Sequence, residues 1–143
     1  IARQYINVGL SKLLGDNIMA LASKAVDILG STPLVEVPDP IVGWDPTSDV
    51  PPIRYAITSI LVCNNSTPNF GHEEDGITGF NLHIIKRGEA RGTKNQIINF
   101  LQLPAGETFT LDSEKIVLES GDKIDILGES PTVLSATVSW MTV

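Results

Sequence analysis

The sequence predicts a mainly β fold, an antiparallel β-sandwich or jelly roll of about seven to eight strands, preceded by an extended, partly helical N-terminal arm. Three observations point to it. From residue 53 onward, short apolar runs recur at roughly 8–12-residue spacing, the rhythm of an antiparallel sandwich. The segments between them carry turn residues rather than helical periodicity, so the crossover helices of a parallel sheet are missing. Most of the nine prolines gather before residue 53, where they exclude inner strands and helix interiors. These features divide the chain into an arm and Pro-rich linker at 1–52 and a β-sandwich domain at 53–143.

In the arm, Leu10, Leu13, Leu14, Asn17, Ile18, Leu21, Ala22, Ala25, Ile28 and Leu29 fall at spacings of three and four. That period predicts a helix near 17–29, with Gly30 as the residue past its C-terminus. A strand at 25–29 is the alternative. The stretch from Pro33 to Pro52 should run extended over a surface, with one short edge strand at Leu34–Val37.

The sandwich elements follow in order. Ile53–Asn64 is rich in β-branched residues and suits a strand covered on both faces for part of its length. A loop at 65–78 leads to a strand at Gly79–Lys86. A polar hairpin loop, Arg87–Asn95, returns into Gln96–Leu103, which ends at the turn Pro104-Ala105-Gly106. Short strands follow at Thr108–Leu111, Lys115–Leu118 and Asp122–Leu127, the last two joined by Glu119-Ser120-Gly121-Asp122 as a tight hairpin. Thr132–Thr142 closes as a long alternating strand.

Composition excludes several functions. Hydrophobic residues make up 42% of the 143, enough for a packed core, and 19% charged residues is too few for a disordered polyelectrolyte. No run approaches the ~20 apolar residues of a membrane-spanning helix. A net charge of −7 argues against nucleic-acid binding, which needs Lys and Arg to displace counterions from phosphate. The single cysteine, Cys63, closes an apolar run and reads as a buried, inert thiol.

Catalytic patterns are missing as well. Gly88–Lys94 has the wrong glycine spacing for a phosphate loop and lies between two strands, with no helix N-terminus behind it. His83 sits in an alternating strand and reads as a sheet-face residue. His72-Glu73-Glu74-Asp75 is the one cluster with metal-ligand chemistry, but consecutive residues converge on an ion only through a special turn. The prediction is a chain without catalytic, metal or cofactor residues.

Five segments carry a resemblance: Tyr55–Ser66, Phe80–Lys86, Leu103–Leu111 with its Pro-Ala-Gly turn, Ile116–Ile124 with its Gly-Asp turn, and the closing strand to Val143. Together they resemble small β-sandwich virion proteins of tailed bacteriophages, over about residues 34–143. The Pro-rich stretch at 38–52 departs from the compact loop usual there. The resemblance implies a non-enzymatic structural subunit located in the virion. Capsid decoration or cement, or collar, baseplate or fibre attachment, would be its place. Its partners would be other virion proteins (capsid, collar or tail subunits) and copies of itself, a trimer among the options.

The residues support a docking role. Tyr5, Leu10, Leu13, Leu14, Ile18, Leu21 and Trp44 give the arm apolar surface with little of its own to bury it against, and such surface marks interfaces. These are the expected interface residues, on the expectation that the arm docks on a neighbouring subunit rather than over its own sandwich. A carbohydrate-binding module is the alternative function, disfavoured by only 6% aromatic residues.

Overall fold

The computed structural model describes residues 3–6, 21–38, 53–72, 74–113, 115–129 and 133–143. Ten strands lie among them: β1 (Arg3–Ile6), β2 (Leu21–Asp27), β3 (Ser31–Glu36), β4 (Arg54–Asn64), β5 (Thr78–Ile85), β6 (Gln96–Leu103), β7 (Thr108–Leu111), β8 (Ile116–Glu119), β9 (Lys123–Gly128) and β10 (Leu134–Thr142). They form two antiparallel sheets. The first runs β1-β2-β10-β4-β7, with β8 also lying along β4; the second runs β3-β9-β5-β6.

The inner faces of the sheets make one core. Ile60, Val62, Ala136, Val138 and Trp140 come from the first sheet, and Leu34, Phe80, Leu82, Ile124 and Ile126 from the second. Each large aliphatic or aromatic side chain buried there contributes about 1.5–3 kcal/mol relative to exposure. Trp140 stacks on Tyr55 with ring centroids 5.4 Å apart. Phe80 of the second sheet meets Phe109 of the first at 5.7 Å. The core extends past any boundary at residue 52, since Ala22, Ile28, Leu34, Val35 and Val37 join the same cluster.

Two expectations need correction. The helix expected near 17–29 is strand β2 over Leu21–Asp27, while 17–20 lie outside the described residues. Ala22, Val26 and Ile28 turn inward, a period of two. The helix-like spacing came from Leu21, Ala25 and Leu29, which fall on the solvent side; Leu21 is 64% and Leu29 76% exposed. The second correction concerns Glu119–Asp122. It turns tightly, with the Asp122 N–H donating to the Glu119 carbonyl at 2.9 Å. Yet β8 joins the first sheet and β9 the second, so the turn passes the chain between layers instead of forming a hairpin.

The expected edge strand at 34–37 overlaps the end of β3, which starts earlier, stops at Glu36 and borders the second sheet. Pro33 fits there because the register with β9 shifts between Pro33 and Val35, where a missing N–H costs no ladder bond. Asp122 ties the layers together. Its carboxylate accepts from Lys86 Nζ at 2.8 Å, from the Arg87 N–H at 2.9 Å and from the Glu119 N–H at 3.0 Å. Its carbonyl accepts from the Val37 N–H.

Candidate functional site

The motifs singled out by sequence resolve into surface turns. His72, Glu74 and Asp75 are exposed, with the His72 N–H donating to the Asn69 carbonyl and the Asp75 N–H to that of His72. The described residues contain no group of three or more His, Cys, Asp or Glu able to hold a metal ion. Cys63 is half-buried on β4 between Ser135 and Thr108, on the outer side of the first sheet, not deep in the core as expected.

Gly88–Lys94 belongs to a strap that folds back over the outer face of the second sheet. Arg91 Nη1 donates to Ser31 Oγ on β3, although the strap joins β5 to β6 at the other side of that sheet. Asn95, at the end of a short 3-10 turn, holds it closed. Its Nδ2 donates to the Ala90 carbonyl at 2.9 Å and its Oδ1 accepts from the Gly92 N–H at 3.1 Å. Beneath lies His83, between Asp125 of β9 and Gln96 of β6, only 5% exposed and with Nδ1 unpartnered. Burial, followed by the nearby Arg91 charge, holds the imidazole below its ordinary pKa, and Asp125 opposes them.

At one end of the sandwich, Asn64 organises the loops. Its Nδ2 donates to the carbonyls of Gly76 and Leu103 at 2.7 and 2.9 Å, and its Oδ1 accepts from the Ser66 N–H. These bonds carry Phe70, 92% exposed, at the loop tip. The ring borders a shallow cleft with Pro68, Asn69, Asp75, Pro104 and Glu107.

A concavity with a mainly apolar lining lies on the flank where both sheets end. A groove of about 450 Å³ opens between edge strands β6 and β7. Ile97, Ile98 and Leu101 form one wall, Phe109 and Leu111 the other, with Ile84 and Ile116 at the ends. Lys115 is the only charged residue among its described lining residues. The strand β6 is unusual beside it: its register with β5 shifts twice, and Phe100 adopts φ +50. The Phe100 N–H donates to Asn81 Oδ1, and its ring lies on Gly79, where a Cβ would come within 2.6 Å of it. The groove escaped the sequence reading, although Ile97-Ile98 is an adjacent apolar pair that breaks alternation on the wall strand.

Of the expected interface residues, Tyr5 lies in β1 with its backbone paired to Ser23 of β2 in the same chain. Leu21 is exposed at the start of β2. Leu10, Leu13, Leu14, Ile18 and Trp44 lie outside the described residues. No known protein-family profile and no curated protein matches the chain.

Proposed function

We propose that this chain is a non-enzymatic structural subunit of a tailed-phage virion, with the connectivity of a jelly roll, that docks on neighbouring subunits through its N-terminal arm. Its place is that of an accessory protein, either capsid decoration or cement or a part of the collar, baseplate or fibre attachment. One observation carries the docking reading. β1 and β2 form the outer border of the first sheet, and the intervening 7–20 segment, with Leu10, Leu13, Leu14 and Ile18, begins and ends at that border. An apolar segment held at a sheet margin is well placed to meet another subunit. The strand order, alternating between layers as β2-β10-β4-β7 over β3-β9-β5-β6, agrees with the jelly-roll architecture common in capsid proteins.

Immunogold labelling of particles of the encoding phage, with antibody raised to this chain, tests the assignment. Label at a fixed position is the expected result, and particles without label overturn it. Changing Leu10, Leu13, Leu14 and Ile18 together to Ser should then release the protein from particles. Deleting residues 1–30 is a poorer test, because it removes core residues Ala22 and Ile28.

A carbohydrate-binding role is the second reading, favoured by Phe70. An exposed ring beside the Asp75 and Glu107 carboxylates offers a sugar an apolar platform and hydrogen-bond acceptors. A glycan array should show signal that Phe70→Ala abolishes; a blank array removes this reading.

A further inference from the structure

Building on the arm-docking reading above, we infer that the groove between β6 and β7 receives segment 7–20 of a second copy of this chain, so that copies associate head to tail. Charge is the first argument. The protein carries −7, so two copies repel except where carboxylates are missing. Among the described residues the groove is such a place: seven of the eight that line it are apolar and the eighth is Lys115. Segment 7–20 is matched to it, with Lys12 and Asp16 cancelling and five branched aliphatic side chains, Val8, Leu10, Leu13, Leu14 and Ile18, to bury.

Placement is the second argument. The segment is anchored where Ile6 pairs with Ala22, on the β1–β2 border. The groove lies beyond β7, on the opposite border of the same sheet. From β2 through β10 and β4 to β7 is three strand spacings, about 14 Å at ~4.8 Å each. The two ends of the segment and the groove therefore lie on opposite borders of the sheet in one copy, and copies set side by side bring one border against the other's groove. Such a contact is heterologous, and repeating it closes a ring or extends a chain.

The third argument concerns what else could fill the groove. Strand addition to β6 is blocked by its two register shifts and the positive φ of Phe100, the devices that protect sheet edges. The groove must be filled by inserted side chains instead.

Sedimentation velocity on three proteins tests the inference: the unsubstituted chain, Ile97→Lys in the groove wall, and the quadruple Leu10→Ser, Leu13→Ser, Leu14→Ser, Ile18→Ser. Ile97 is 44% exposed, so the lysine is sterically tolerable, and thermal melts within a few degrees of the parent show that each variant folds. The unsubstituted chain should sediment at a multiple of 15.4 kDa and each variant at 15.4 kDa. An equimolar mixture of the two variants should give a two-chain species, because one keeps its groove and the other its arm. A short bismaleimide should also link Leu13→Cys of one copy to Ile97→Cys of another in a Cys63→Ser background.

If Ile97→Lys still assembles while the arm variant is monomeric, the groove is not the receptor and the arm reading survives. If the arm variant assembles too, both fail. A monomeric parent overturns self-association, and a mixture that stays monomeric overturns the head-to-tail arrangement.

Discussion

Asp122 and His83 are buried ionisable residues that make stability depend on pH in two separate windows. Burial pushes the Asp122 carboxyl up, but Lys86 and the N–H groups of Glu119 and Arg87 pull it down further, so its folded pKa is below the ordinary value. The unfolded chain then binds more protons, and the stabilisation present above about pH 4 is lost as pH falls through the folded value. Asp122→Asn should cost about 2 kcal/mol, or ~6 °C in melting temperature, and flatten the acid limb of a pH series of melts. For His83 the folded pKa is also depressed, by burial and then Arg91, so its contribution begins to fall away below about pH 6.5. His83→Gln should remove that upper step and leave the acid limb intact. The placement of His83 on a sheet face was legible from its alternating strand. Its cover was not, because Arg91 reaches Ser31 across sixty residues of sequence, a closeness that no local pattern encodes.

Among elements, the strands from residue 53 on were legible because apolar alternation and Gly or Pro turns agreed at each boundary. The arm misled because a strand with small inward residues and exposed leucines imitates a helical period. The 119–122 turn misled because tight-turn chemistry does not say whether the following strand stays in its layer. The distorted β5–β6 pair gives a quantitative prediction. Gly79→Ala pushes a Cβ against the Phe100 ring and should cost about 1–3 kcal/mol by overpacking. Phe100→Gly in the same chain should recover most of that loss, since it removes the clash and relieves the φ of +50. A double-mutant cycle by urea denaturation reads the coupling; additive losses would show that the ring does not rest on Gly79.

For the whole molecule, the net negative charge and a groove whose described lining is apolar apart from Lys115 predict an association that strengthens with salt. Screening at high ionic strength weakens repulsion between copies of charge −7 while leaving apolar burial in place. Sedimentation at low and high sodium chloride should show the larger species gaining population; dissociation by salt would point to ion pairs instead. The two-layer architecture was legible from composition and strand rhythm, whereas the groove depends on which strands become edges, and that is decided by topology alone. The position of β10 has a consequence for biogenesis. It is the last of the described strands in sequence, yet it lies between β2 and β4 and brings Trp140 to the core. A ribosome releasing this chain from its N-terminus therefore exposes β2 and β4 with a vacant lane between them until residues 134–142 emerge. Nascent chains stalled before that point should be captured by chaperones and cut readily by protease, and protection should arrive in one step when the nine-residue β10 becomes free to pair.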